Sequence, residues 1–283
     1  VSLRLLRMNG SGLLALPPVG DFAALRVLEL AENDIGDLAS FDGDIPLKGS
    51  LVILRLGGNT GINDLAPLAG AFEEAAPPIP DSLDGWIQDW RPTLSLYGID
   101  LAGVDTPLAP LGAMEHLLVL DLRAAGLETL DDIFTWTSYQ EISDTGMRLQ
   151  ALDISYNDGM TSVSPILLQP LQTIWQKLLV LKADGVFNVD TAPSLPALWL
   201  PAGAGNGPVE ISLKDNALTA ANLQTFGDTS EGAFALLETL SLADNAIDGG
   251  LGPLTDLATG KALSTVDLQV NPDLPCDLPE LCD

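Results

Sequence analysis

A short phrase of alternating apolar and polar residues recurs along the chain. In its clearest copy, Leu25, Leu28 and Leu30 are followed by Asn33 and Ile35. The central x-Leu-x-Leu-x part has a period of two residues, which predicts a short strand with one buried face. Further clean copies surround Leu54, Leu152, Leu240 and Val266.

The phrase predicts ten repeats. They begin near residues 3, 25, 51, 91, 117, 149, 178, 208, 237 and 263. Because one repeat cannot bury its apolar stripe alone, we expect successive repeats to stack with their strands side by side in a parallel sheet. The Asn after each strand is expected to point inward and satisfy backbone groups of its own and the neighbouring coil. Ser11 takes this position in the first repeat, whereas Ile99, Ala125 and Val186 depart from the pattern.

This tandem phrase resembles the leucine-rich-repeat family over essentially the whole chain. The resemblance implies an α/β solenoid: a curved right-handed superhelix with parallel strands on its concave face and irregular loops and short helices on its convex side. We expect one domain, 1–283, whose Pro-rich residues 270–283 form a C-terminal cap. Short helices are predicted in three long return segments, 70–90, 131–146 and 164–177.

Composition limits what the surface can bind. The 283 residues include 12 Lys and Arg against 39 Asp and Glu, which gives a net charge of −27. Such acidity disfavours binding to nucleic acid and to anionic membranes. No apolar run approaches the roughly 18 residues that a membrane span needs, so direct insertion is not expected. Since the chain begins at Val1 without Met, we interpret it as a piece of a longer protein.

Two further features bear on location. Cys276 and Cys282 are the only cysteines. We expect them to form a local disulfide, with two free thiols as the alternative, and a terminal disulfide favours an extracellular or cell-surface location. Asn9-Gly10-Ser11 is the only N-glycosylation sequon, which makes Asn9 a candidate for a glycan.

Residues between the inward leucines are expected to face the concave surface in two columns. One column begins with Arg7, Glu29 and Arg55, which alternate in sign. One interpretation is a self-compensating ladder of surface ion pairs, each worth a few tenths of a kcal/mol. The other is a binding site for a partner.

The binding interpretation begins with Asp121 and Asp153, which the repeat pattern makes neighbours in this column. Like charges directly opposite each other need a donor or a cation between them. Arg123 and Lys182 are candidate donors. A calcium ion, or the ammonium or hydroxyl of a ligand, is the alternative, so Asp121 and Asp153 form a possible cation site.

The second column is apolar over much of its length. It contains Leu5, Val27, Ile53 and Val119, which we expect to be exposed. An apolar stripe rimmed by charge marks a partner surface. The ordinary preference of β-branched residues for strands explains the same residues without a partner.

Enzyme signatures are missing from the sequence. His116 is the only histidine, and the G-x-S-x-G, H-E-x-x-H and phosphate-loop motifs do not occur. We therefore predict no catalytic residue, no cofactor and no metal site beyond the possible one above. The resemblance to secreted and receptor leucine-rich-repeat proteins implies the favoured function, a non-enzymatic extracellular recognition or adhesion module that binds a protein or glycan on the concave face.

Two alternatives remain open. The first repeat phrase starts at Leu3, which would leave Leu3, Leu6 and Met8 open on one side. Either preceding chain or a neighbouring subunit stacked head to tail would cover them. A head-to-tail contact that does not close generates a filament. The chain would then be a structural subunit of an extracellular filament or surface assembly. A carbohydrate-active enzyme that uses carboxylates is the second alternative.

Overall fold

Ten short strands form a parallel sheet in which the strand order follows the chain. The computed structural model describes residues 3–19, 21–43, 45–72, 91–132, 149–162, 178–187, 207–223, 234, 236–258, 263–271 and 274. The strands are β1 (Leu5–Arg7), β2 (Val27–Glu29), β3 (Ile53–Arg55), β4 (Thr93–Ser95), β5 (Val119–Asp121), β6 (Ala151–Asp153), β7 (Val180–Lys182), β8 (Glu210–Ser212), β9 (Thr239–Ser241) and β10 (Thr265–Asp267). Each coincides with a predicted repeat, which confirms a solenoid of the leucine-rich-repeat type.

The chain divides into two compact units. The first comprises Val1–Gly126 and Asp131–Ala151, and the second comprises Leu127–Leu130 and Leu152–Asp283. Strands β1–β5 belong to the first unit and β7–β10 to the second. The organisation as a single domain stays a prediction.

In each unit the register places one apolar residue of every strand in a shared row. In the first unit the row consists of Leu6, Leu28, Leu54, Leu94 and Leu120. In the second it contains Leu181, Ile211, Leu240 and Val266. Residues of the inner strands in these rows are buried, so the aliphatic core that the repeat predicts is present.

Short helices return the chain between strands. The 3₁₀ helices are Ala39–Phe41, Lys48–Ser50, Ala66–Leu68, Ala109–Ala113, Asp158–Ser162 and Ala220–Leu223, and α1 is Gly252–Ala258. Asp37 and Asp64 start two of them, because their carboxylates accept the N–H of Ala39 at 2.9 Å and of Ala66 at 2.8 Å. In the first unit Ala39–Phe41 contacts Ala66–Leu68, which contacts Ala109–Ala113.

The Asn side chains carry out the predicted backbone pairing. Asn245 is buried, and its Nδ2 donates to the carbonyls of Leu213 and Leu242, both at 2.9 Å. Its Oδ1 accepts the N–H groups of Asn216 and Leu218, both at 3.0 Å. Amides at the same repeat position also bridge their own coil and the preceding one at Asn33, Asn59, Asn216 and Asn271.

Three coils have an apolar residue in place of the inward Asn. Ile99, Ala125 and Val186 are buried and fill the core instead. The carbonyl of Ala125 accepts the N–H of Leu101 at 2.9 Å. This main-chain oxygen replaces an acceptor that an Asn side chain provides in other coils. Ser11 was expected to point inward, and this prediction was wrong: Ser11 is exposed, and its N–H donates to Asn33 of the next coil.

A second ladder, which the sequence analysis did not predict, follows the strands. Two residues after the last inward apolar residue, each coil turns through a left-handed residue. These residues are Gly10, Glu32, Gly58, Gly98, Ala124, Tyr156, Gly185, Asp215, Asp244 and Val270, with φ between 49° and 74°. Their N–H groups extend the sheet pairing, for example from Glu32 to Gly57 O at 2.8 Å and from Asp244 to Gln269 O at 2.9 Å. These bonds help offset the roughly 1 kcal/mol or more that a non-Gly residue spends in this conformation.

Several predictions fall outside the described residues. They include Cys276, Cys282, most of the expected cap at 270–283, and residues 73–90, 133–146 and 164–177 of the expected helices. Leu6 and Met8 of the first coil are partly exposed, but head-to-tail assembly stays a prediction. No helix in the described part of the chain has both the length and the apolar character that a membrane crossing requires.

Asn245→Ala is expected to lower the free energy of unfolding by about 2–4 kcal/mol, since it leaves several buried backbone groups without hydrogen-bond partners. Chemical denaturation of the two proteins measures this loss. Ser11→Ala is the matched control and should cost less than about 0.5 kcal/mol, because Ser11 is exposed. A loss below about 1 kcal/mol for Asn245→Ala would contradict the role given to the Asn ladder.

Candidate functional site on the strand face

The side of the sheet opposite the leucine core carries the residues that alternate with the inward ones, and we call it the strand face. In the first unit, its three charged residues in β1–β3 form one network. Glu29 forms an ion pair with Arg7 Nε, and its Oε1 accepts bonds from Arg7 Nη2 at 3.3 Å and Arg55 Nη1 at 3.1 Å. The alternation of charge predicted from the sequence is therefore confirmed here.

The burial of this network differs from the prediction. The Glu29 side chain is 3% exposed, while those of Arg7 and Arg55 are 37% and 44% exposed. A surface ladder of weak pairs is therefore the wrong description at Glu29. A buried carboxylate must be paired, and removing one partner of such a pair costs several kcal/mol. The outer parts of both guanidinium groups remain available to a partner.

The side chains of the apolar column are largely inaccessible to solvent in β2 and β3. Val27 and Ile53 are each 0% exposed and pack in one cluster with Val52 and Leu5. The expectation that Val27 and Ile53 are exposed was therefore wrong, and neither side chain is accessible to a partner. Val119 and Leu5 are partly exposed, so accessible apolar surface in this column is limited.

The carboxylate of Asp121 accepts hydrogen bonds from a residue just after its own strand and from a residue of the preceding strand. Its carboxylate accepts bonds from Arg123 Nε at 2.9 Å and Nη2 at 3.0 Å, and from Ser95 Oγ at 2.9 Å. Burial by itself raises the pKa of Asp121, but the bonds from Arg123 and Ser95 outweigh it and lower the pKa below its usual value. Of the two predicted donors, Arg123 therefore fills this role for Asp121.

Tyr97 links three coils of the first unit. Its hydroxyl bonds the carboxylate of Glu32, and the guanidinium carbon of Arg123 lies 5.5 Å from the centre of its ring. The second contact is a cation–π interaction. The hydrogen bond to Glu32 and, secondarily, burial raise the pKa of Tyr97 to about 12. The phenol is therefore neutral throughout the physiological range.

Two glycines make room for this arrangement. A Cβ added to Gly57 would overlap the Tyr97 ring. Gly58 has a φ of +74°, and a Cβ there would lie 2.9 Å from Glu32 Cδ. The dipeptide thus lets Tyr97 lie across the third coil and reach Glu32 in the second. This contact was missed by the sequence analysis, although Gly57-Gly58 after a predicted strand was a readable signal of close approach.

The second unit repeats part of this chemistry with other residues. Asp267 accepts a bond from Ser241 Oγ at 3.1 Å and lies 3.5 Å from Lys214 Nζ. Burial raises the pKa of Asp267, but bonds from the Gln269 N–H, Ser241 and Lys214 overcome this and lower it. Ser95–Asp121–Arg123 in the first unit is the equivalent set.

The two remaining charged candidate residues, Lys182 and Asp153, also have partners. Lys182 Nζ lies 3.7 Å from Glu210 Oε1, and Asp153 Oδ1 accepts the N–H of Ser155 at 3.1 Å. Asp121 belongs to the first unit and Asp153 to the second, so a cation site shared by them stays a prediction. Among the described residues, no group of three or more His, Cys, Asp or Glu is placed to hold a metal ion.

The sequon lies beside the strand face. Asn9 is exposed, and its Oδ1 accepts the N–H of Ala31 at 2.9 Å. N-glycosylation modifies the side-chain nitrogen and leaves this oxygen in place. The contact is thus compatible with a glycan at Asn9, which stays a prediction.

Comparison with models of protein families and with curated protein sequences finds no match. Among solved structures, the functional domain of InlJ from Listeria monocytogenes, which includes a cysteine ladder, is similar with a TM-score of 0.43 and 16% identity, over 94% of this chain and 53% of that one. The chain thus spans about half the length of the InlJ domain. An internalin, InlF, from Listeria monocytogenes is similar with a TM-score of 0.29 and 18% identity, over 94% of this chain and 87% of that one.

Tyr97 is expected to ionise near pH 12 in the native protein, since its folded pKa is about 12 and its ordinary value is 10.0. A raised folded pKa means that the stabilising contact is complete below pH 10.0 and is lost as the pH rises through about 12. Glu32→Gln should bring the pKa back towards 10.0, because the hydrogen bond to Glu32 is the main cause of the shift.

Phenolate absorbance during an alkaline titration measures this transition. The chain has three tyrosines, so Tyr97→Phe identifies which transition belongs to this residue. Tyr156→Phe serves as the control and should leave the late transition in place. Ionisation of Tyr97 near its ordinary pKa would show that the bond to Glu32 is not formed in solution.

Proposed function

We propose that the chain is a non-enzymatic recognition module whose strand face in the first unit binds a protein or glycan partner. The carrying observation is that Arg7 and Arg55 present exposed guanidinium groups while Glu29, buried at 3% exposure, fixes their orientation. Side chains held in place before binding lose less conformational freedom on contact, which favours affinity. Arginine is also enriched at protein interfaces and among the residues that dominate their binding energy.

The same face extends to β5. Arg123 is held by Asp121 and by the Tyr97 ring, and Val119 at the start of β5 is partly exposed. Fixed cations next to a small amount of apolar surface suit a protein or glycan more than a purely cationic ligand. The carboxylates of Glu29 and Asp121 are occupied by arginines, which supports binding rather than acid–base catalysis by these groups.

We place this module outside the cell or at its surface. The expected Cys276–Cys282 disulfide and the exposed sequon at Asn9 support that location. The net charge of −27 disfavours nucleic acid as the partner.

Ligands selected from a peptide display library and a glycan array test the function. Val119→Asp and Arg123→Ala are expected to weaken a selected ligand by roughly tenfold or more, which is the effect of losing one important interface contact. Asp105→Ala, an exposed change in the segment that follows β4 and precedes a 3₁₀ helix, is the control and should leave affinity unchanged. Selected ligands that bind the Val119 and Arg123 variants as tightly as the original would refute the proposal. So would turnover of an arrayed glycan that Asp121→Asn abolishes.

A further inference from the structure

We infer that the partner of the strand face is a protein segment rich in Asp and Glu, which docks on the arginines of the first three coils. These residues are Arg4, Arg7, Arg26 and Arg55, and we call them the arginine patch. The inference rests on the proposed function and names the chemical class of the partner.

The first argument is the distribution of charge. The chain has only 12 Lys and Arg against 39 Asp and Glu, yet four of the 12 lie within or directly before β1–β3. Glu29 is the one acidic residue within those three strands, and it is buried. Accessible cations therefore outnumber accessible carboxylates within and directly before these three strands, although the chain as a whole is strongly acidic. A local field of opposite sign to the net charge guides anionic groups to one place.

The second argument is that two residues of the arginine patch have no acidic partner among the described residues. Arg4 is exposed, and neither Arg4 nor Arg26 forms an ion pair with any residue in the described part of the chain. Arg26 donates instead to backbone oxygens, including Ser50 O at 3.0 Å. Burial and then repulsion from Arg4 lower the pKa of Arg26, so the two cations act on each other. An anionic partner would relieve that repulsion.

The third argument is the geometry of Arg7 and Arg55. Glu29 engages Nε and Nη2 of Arg7 and Nη1 of Arg55, which leaves further guanidinium N–H groups directed elsewhere. Both side chains are more than one third exposed. A guanidinium group offers paired donors that match a carboxylate, so fixed arginines recognise Asp and Glu side chains better than mobile lysines do.

The neighbouring residues favour a polypeptide over an anionic sugar chain. Leu5 lies between Arg4 and Arg7 in the chain and is partly exposed, so it offers an apolar contact among the cations. Sugar rings commonly stack on open aromatic faces, but the nearby Tyr97 ring already contacts Gly57 and Arg123. A segment that mixes acidic and apolar side chains satisfies both features of the arginine patch.

Binding of a fluorescent peptide with alternating Glu and Val residues tests the inference, and fluorescence anisotropy measures it with the full chain. A peptide of equal length with alternating Lys and Val is the first control and should not bind. Affinity for the Glu–Val peptide should fall as salt rises, because exposed charges are screened within about 8–10 Å at ionic strengths of 0.1–0.15 M. Polygalacturonate serves as the anionic sugar chain and should bind more weakly per carboxylate.

Four variants locate the site. Arg55→Gln is expected to weaken the Glu–Val peptide roughly tenfold, since it removes a charge-assisted hydrogen bond while Arg7 still pairs with Glu29. Arg4→Gln should weaken it roughly threefold through the loss of one exposed charge. Glu29→Gln should weaken binding, because Arg7 and Arg55 lose the counterion that fixes their orientation before contact. Lys214→Gln changes the charge equally in the second unit and should have no effect.

Circular dichroism establishes that each variant folds. If Glu29→Gln does not fold, Arg4→Gln and Arg55→Gln still decide the matter, since neither leaves Glu29 without a partner. Equal affinity of these two variants and the original protein for the peptide would overturn the inference. Tighter binding of polygalacturonate with the same arginine dependence would overturn it in favour of a glycan, and salt-sensitive oligomers lost in Arg4→Gln would overturn it in favour of a second copy.

The outcome is separable from that of the proposed function. Suppose that library ligands lose affinity with Val119→Asp but bind Arg4→Gln and Arg55→Gln normally. Recognition at the strand face would then stand, and the acidic partner class would be wrong.

Discussion

The backbone amide groups of each coil must be satisfied by the adjacent coil, and the rest of the molecule follows from this constraint. Strands of three residues are too short to complete the pairing alone. The left-handed residue after each strand and the inward Asn extend it on the same side, with bonds such as Gly185 N to Lys214 O at 2.8 Å. Since buried backbone groups without partners cost free energy, each coil keeps this pairing even where the residue at the position changes.

Because backbone groups and inward side chains make most contacts between coils, the residue types on the strand face can vary. Inward positions repeat with little change because a common core row must be filled in each unit. Outward positions carry arginine, glutamate, serine, aspartate and valine at different strands. The strand face therefore holds contacts that span several coils, such as Tyr97 of the fourth coil with Glu32 of the second.

The sequence predicted the elements but not the reach of their side chains. Hydrophobic periodicity placed all ten strands, and it identified Asn245 and its equivalents as inward amides. The alternation of Arg7, Glu29 and Arg55 was also correct, since residues at one repeat position are neighbours in a parallel sheet. Periodicity reports only the face on which a side chain begins. It does not show that Val27 and Ile53 are covered, nor that a ring crosses Gly57 to another coil. Those features depend on the shapes of neighbouring residues, which no single repeat contains.

Stability alone gives a poor account of the Glu29 network. The attraction within a buried ion pair is largely offset by the free-energy cost of removing both charges from water. Apolar residues of similar size therefore often stabilise a fold equally well. Val27 and Ile53 precede Glu29 and Arg55 by two residues, and they show that this part of the face accepts buried apolar side chains. A carboxylate at 3% exposure between two half-exposed arginines is thus better explained by what it does to them. It holds two guanidinium groups in place on an otherwise acidic molecule, which suits the recognition proposed for the strand face.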